Sequence, residues 1–155
     1  MNVQAAGTLS SGRATRDALM VLVETQAFLL EGHTGGAGGV DGQHNKILDM
    51  YREIVAMLVD QPDVEAIGRN IRELYVYLNL HFSTEESLMS IMDYPARKAH
   101  AHCHRQFRKE FMKVIKHAPA SPDGYADFVM SAGQWLLDHM KTSDNEFAEY
   151  CASCS

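Results

Sequence analysis

The sequence predicts an all-α fold: an up-down-up-down antiparallel four-helix bundle with an N-terminal extension. Three observations carry this. Apolar residues recur at spacings of three and four through four successive segments. Short breaks containing Pro, Asp or Ser separate those segments. No stretch alternates with period two for long enough to form a strand. Connections this short place consecutive helices antiparallel.

Residues 1–39 make up the extension. Residues 1–12 are small and polar. Residues 13–31 contain no Gly or Pro, and Leu19, Leu22, Val23, Leu29 and Leu30 give a partial helical stripe that predicts an extra helix. The segment EGHTGGAGGVDG then places six glycines in twelve residues, which ends any helix before it.

The first bundle helix is expected to start after Asp41 as its N-cap and to run to about Asp60. Its stripe is Ile47, Leu48, Tyr51, Ile54, Val55 and Leu58. Pro62 is expected to open the second helix, because a first-turn N–H has no helical partner to lose. That helix carries Val64, Ile67, Ile71, Leu74, Leu78, Phe82 and Leu88 and ends near Met92. Pro95 is expected to open the third, which carries Ala99, Phe107, Phe111 and Val114 and stops before Pro119. Ser121 followed by Pro122 gives a cap and first-turn signal for the fourth. Phe128, Val129, Trp135, Leu136 and Met140 mark that helix, which reaches about Tyr150. The bundle therefore spans residues 40–150, and residues 151–155 form a tail.

A chain of 155 residues suits one domain with room for a core. Its net charge of -6 speaks against a nucleic-acid partner, which would need a basic face. No run approaches the roughly 20 apolar residues of a bilayer span. The most apolar stretch, ALMVLVETQAFLL, is broken by Glu24 and Gln26, so no membrane partner is expected. The N-terminus lacks a signal-peptide pattern, which makes the cytoplasm the expected location. Three cysteines, odd in number and poorly spaced for a disulfide framework, fit a reducing compartment.

Each helix carries imidazole where its stripe should be apolar. The first has His44. The second has His81 and Glu85, and the third His100 and His104, both pairs spaced i,i+4 and so one turn apart on one face. The fourth has His139 and Asp144, spaced i,i+5, which in a regular helix lie about 140° apart, so Asp144 must reach around. Four inward faces meeting at one height would assemble five imidazoles and two carboxylates, a dinuclear ligand set with the carboxylates as natural bridges. Imidazole with carboxylate and no thiolate suits iron, and zinc or manganese less firmly. The set is too large for one tetrahedral structural zinc. If both carboxylates bridge, one ion has three imidazoles and the other has two and an open position. One buried histidine alone is usually a hydrogen-bonded core residue, but leaving seven such polar groups unpaired would cost several kcal/mol.

In the stretches VDGQHNKILDMY, HFSTEESLM, YPARKAHAHCHRQF and WLLDHMKTSD the sequence resembles the hemerythrin family, most closely its bacterial members. The resemblance covers residues 40 to about 150, and the 15-residue step from Glu85 to His100 fits the family. It implies a cofactor of two iron ions bridged by an oxo or hydroxo group and by Glu85 and Asp144. His100, His104 and His139 would bind the saturated iron, and His44 and His81 the iron with the open position, where dioxygen binds. It also places Trp135, Leu136 and Ile47 beside the site as an apolar pocket wall, with Phe82 and Met89 as further candidates. One departure is that the family commonly has a tryptophan before its first ligand, whereas the only tryptophan here is Trp135.

The expected function is reversible dioxygen binding for carriage, storage or sensing, without enzymatic turnover. The alternative is a di-iron enzyme acting on oxygen, peroxide or nitric oxide in the same pocket. Ferritin-like oxidase sites use Glu-x-x-His motifs, and none occurs here. A phosphotransfer bundle would need one exposed histidine and leaves the other ligands unexplained. The N-terminal segment is a candidate for packing on the bundle or on a second subunit in a homo-oligomer. His33, His102 and His117 are expected to be solvated, Cys103 to be a core or boundary residue, and Cys151 and Cys154 to lie in the tail without a redox role.

Overall fold

A computed structural model describes residues 40–60 and 63–154. The expected extension, with its stretch 13–31, most of the glycine-rich segment, His33 and Pro62, lies outside the described residues. The described chain forms α1 (Val40–Asp60), α2 (Val64–Ile91), α3 (Arg97–Lys116) and α4 (Pro122–His139). The fourth rod continues through a π-helical turn (Met140–Asp144) into α5 (Asn145–Ser153). There is no strand among the described residues. The architecture is the all-α four-helix bundle that the periodicity predicts, and none of its described helices is long and apolar enough to cross a membrane.

The stripes meet in one core. All six expected residues of α1, Ile47, Leu48, Tyr51, Ile54, Val55 and Leu58, are buried. All but Leu48 pack in one cluster with Ile67, Ile71, Leu74, Leu78 and Phe82 of α2, Phe107 and Phe111 of α3, and Val129 and Leu136 of α4. Removing this apolar surface from water is the main stabilising term. Tyr51 also donates its hydroxyl to the Val129 carbonyl at 2.7 Å, tying α1 to α4, and burial raises its pKa. Ala99, expected in the third stripe, is exposed. It stands about 100° from His100, beyond the narrow buried face of α3.

Several boundaries differ from the sequence expectation. The first helix is already formed at Val40, so Asp41 lies inside it instead of capping it. Asp63 is the cap of α2, its carboxylate accepting from the Glu65 and Ala66 amides. Pro95 does not open α3, which begins two residues later. The reason is the turn before it. Asp93 takes a left-handed φ of 51°, a conformation that Asp tolerates better than most residues. The chain then folds back so that Tyr94 is buried with Met89 and Phe147 in a second, smaller apolar cluster. The Tyr150 hydroxyl closes this end by donating to the Met92 carbonyl at 3.1 Å. The last helix runs on to Ser153, past the expected end near Tyr150.

Candidate metal centre

The four rods bring all seven candidate residues to one height of the bundle. His81, Glu85, His100, His104, His139 and Asp144 are buried, and His44 is largely so. They fall into two overlapping groups. Glu85, His100, His104, His139 and Asp144 form one, and His44, His81, Glu85 and Asp144 the other. In each, the nitrogen and oxygen atoms that could hold a metal ion lie within 4.8 Å of one another. Glu85 and Asp144 belong to both.

The carboxylates divide between the groups. Asp144 Oδ1 lies 3.0 Å from His139 Nε2 and 3.1 Å from His100 Nε2. Its Oδ2 lies 3.2 Å from His44 Nε2. Glu85 Oε2 faces His104 at 3.4 Å and His81 at 3.5 Å, while Oε1 faces His44 at 3.9 Å. These are electrostatic approaches and not aligned hydrogen bonds: none of the four carboxylate oxygens accepts one in good geometry. Buried carboxylates left in that state are costly unless a cation completes them.

The donor geometry tests which cation fits. The Nε2 atoms of His100, His104 and His139 form a triangle with sides of 3.1, 2.9 and 3.1 Å. Nitrogens about 2.1 Å from a shared ion stand about 3.0 Å apart at right-angled octahedral positions and about 3.4 Å apart at tetrahedral ones. The triangle therefore matches one face of an octahedron. Neutral imidazoles on such a face, completed by carboxylate oxygen, suit non-haem iron better than a closed zinc site.

The charges settle accordingly in the metal-free protein. Burial works against ionised Glu85, but His100 and His104 beside it outweigh burial and hold its pKa down at about 2. Burial likewise opposes ionised Asp144, and His100, His139 and His44 together hold it well below the usual carboxylate range. Burial would lower His100, yet Asp144 and Glu85 raise it to about 9. For His81 burial wins, and its pKa falls to about 4 despite Glu85.

The fourth rod meets the centre by a local irregularity. Its π turn, Met140–Asp144, has i→i+5 bonding, which brings residue i+5 back over residue i. Asp144 is thereby carried onto the face of His139. Trp135 stacks on the His139 ring at 4.5 Å and on Phe107 at 4.0 Å. Ile47, Leu136, Phe82 and Met89 are buried. His102 and His117 are exposed. Cys103 is also exposed, not a core or boundary residue, because it is turned about 100° from His104. Cys151 is half-buried near the end of α5, and burial pushes its thiol pKa up.

Three polar residues next to the centre escaped the sequence reading. Gln43 Oε1 lies 3.0 Å from His81 Nδ1, Glu86 Oε1 lies 3.0 Å from His104 Nδ1, and Arg108 donates to Glu86. The available signal was position: Gln43 and Glu86 each adjoin a buried candidate, on the flank of its helix face.

A helical bundle that gathers five imidazoles and two carboxylates at one height belongs to the metal-binding bundles. The family whose description is hemerythrin HHE cation binding domain matches residues 36–151, and the chain belongs to the hemerythrin family. It is similar to a bacteriohemerythrin of Stenotrophomonas maltophilia, 27% identical over 114 residues that cover 74% of each chain. A bacteriohemerythrin of Pseudomonas aeruginosa is 26% identical over 110 residues, 71% of each chain. One from Campylobacter jejuni is 28% identical over 76 residues, 49% of this chain and 57% of that protein. No solved structure matches.

Proposed function

We propose that this protein binds dioxygen reversibly at a non-haem di-iron centre, without enzymatic turnover. The observation that carries the reading is the divided carboxylate of Asp144, with Oδ1 beside His100 and His139 and Oδ2 beside His44. One side chain can then serve two neighbouring ions. In this reading His100, His104 and His139 hold one iron and His44 and His81 the other. Glu85 and Asp144, which belong to both groups, would be shared between the two ions. When bound, the pair would supply two electrons to a small neutral ligand held on the side of His44 and His81.

The protein's own groups prepare that site. Each imidazole that turns Nε2 inward must keep its ring proton on Nδ1. Glu86 accepts that proton from His104, and Gln43 accepts it from His81, so both rings are held in one tautomer. Ile47, Trp135 and Leu136 form the apolar wall, which keeps water and anions from the open position. Trp135, stacked on His139, also fixes the plane of that ring. Five neutral imidazoles to two carboxylates make a weakly anionic set, which favours holding a ligand over oxidative chemistry.

The test is anaerobic reconstitution, an iron count per chain, and visible spectra before air, in air and after oxygen is removed. About two irons per chain and a colour that appears with oxygen and bleaches without it support the reading. Rapid irreversible oxidation would favour an enzyme acting on oxygen, peroxide or nitric oxide. Less than about one iron per chain would remove the di-iron centre altogether.

A further inference from the structure

A chain of hydrogen bonds runs from the backbone of α2 to the outer edge of one central imidazole. Asn79 Nδ2 donates to the Tyr75 carbonyl at 2.8 Å. Asn79 Oδ1 accepts from Arg108 Nε at 2.9 Å. Arg108 Nη1 donates to Glu86 Oε1 at 3.0 Å, and the same oxygen lies 3.0 Å from His104 Nδ1. Helical spacing builds this chain. Tyr75 and Asn79 are one turn apart on α2, Glu86 is two turns beyond Asn79, and Arg108 is one turn beyond His104 on α3.

Phe82 fills the space behind it. Its ring stacks on His104 with centroids 4.0 Å apart and planes at 17°. The Arg108 guanidinium lies 5.1 Å from the centre of the same Phe82 ring. His104 is therefore held on its face by an aromatic ring and at its edge by a carboxylate. The side chain is fully buried.

Two other imidazoles of the centre are backed differently. His81 Nδ1 faces the neutral amide oxygen of Gln43. His100 Nδ1 is buried and has no hydrogen-bond partner among the described residues. A carboxylate behind a metal-bound imidazole raises the ring's basicity and fixes its orientation, whereas an amide fixes orientation alone.

We propose that Glu86, anchored by Arg108, is a positioning residue of the centre. It keeps His104 protonated on Nδ1 with Nε2 inward, and its charge makes His104 a stronger donor than His81 or His100. The three-imidazole side therefore takes up iron more tightly than the two-imidazole side and is the side that better holds the oxidised ion. This role rests on the di-iron reading above.

The test compares the full chain with Glu86→Gln and Glu86→Ala variants. Three quantities are read: stepwise Fe(II) uptake by the metal-free protein against a competing chelator, the reduction potential of the loaded protein, and the Tm of the metal-free protein. Glu86→Ala should weaken the tighter uptake step by about 10–100-fold. Glu86→Gln, which still accepts the Nδ1 proton but lacks the charge, should recover only part of that loss. Both variants should shift the potential to more positive values, because both remove the charge. The metal-free Tm should fall somewhat in Glu86→Ala, which leaves the His104 Nδ1 proton unpaired, and barely change in Glu86→Gln. Unchanged uptake and potential in Glu86→Ala would overturn the proposal. So would equal losses in both variants that track a fall in metal-free Tm, which would make the role one of general stability. A wild-type chain that takes up no iron would overturn the di-iron reading itself and this role with it, before any variant is compared.

Discussion

His139 and Asp144 are five residues apart, yet Nε2 of one lies 3.0 Å from Oδ1 of the other. A regular α-helix would set them about 140° apart. The π turn between them removes that offset by accommodating one extra residue in the turn. Deleting the exposed Lys141 should close the turn to regular α geometry and leave the carboxylate one turn from His139. That variant should keep its helicity and its metal. Inserting one alanine after Lys141 should instead swing Asp144 off the face and abolish binding. Circular dichroism with an iron count checks both, and a folded deletion variant without iron would show that the wide turn itself is required.

Glu85 and His44 should fail differently. Glu85 belongs to both groups of candidate ligands and His44 to one. His44→Ala should reduce iron from about two per chain to about one. Glu85→Ala should bring it close to none. The readout is metal analysis after reconstitution and desalting, and equal losses in the two variants would count against a shared, bridging Glu85.

The metal-free protein should be most stable near pH 6.5. The pKa of His81 is lowered to about 4, so the unfolded chain takes up its proton first, and stability falls as pH drops from about 6.5 towards 4. The pKa of His100 is raised to about 9, so its contribution is complete below about 6.5 and is lost as pH rises through 9. Glu85, held down at about 2, adds a further loss only as pH falls from about 4.5 towards 2. A Tm series on metal-free protein between pH 4 and 9 checks the dome. A profile that rises steadily across that range would contradict it.

Gly68 of α2 faces the side chain of Tyr125 on α4. A Cβ there would come 2.7 Å from the Tyr125 hydroxyl, and Tyr125 is buried. Alanine should gain about 1 kcal/mol in a helix interior over glycine, but here the contact should reverse the sign. Gly68→Ala is expected to destabilise by about 1–3 kcal/mol. In a Tyr125→Phe background the same change should cost much less, since the clashing atom is gone. Urea unfolding of the four proteins gives the coupling directly. Simple additivity would refute the contact.

Much of the fold was legible because helical periodicity is a property of the chain itself. The stripe Ile47 to Leu58 could be read in full, and all six residues are buried. The i,i+4 pairs His81–Glu85 and His100–His104 could be read as shared faces for the same reason. Boundaries were less legible. Pro95 looks like a first-turn residue, but packing Tyr94 against Phe147 delays α3 to Arg97. Asp63 supplies the cap of α2, its side-chain oxygen accepting the free amides of Glu65 and Ala66. Cys103 and Ala99 lie on the exposed side because the buried face of α3 is narrow, which no single helix reveals.

By itself the sequence determined the helix class, the register of each stripe and the seven polar residues set among apolar ones, since all of these follow from local spacing. Tertiary structure alone decided which atoms meet. The i,i+5 spacing shows that Asp144 must reach around, but not that a π turn carries it onto the His139 face. The division of the Asp144 oxygens between His44 and His100 depends on how two other helices approach the fourth rod. Glu86 acquires its place behind His104 only when α2 and α3 pack, because the hydrogen bond joins residues 18 positions apart. Contacts between helices are set by packing, and packing is where this bundle's chemistry is specified.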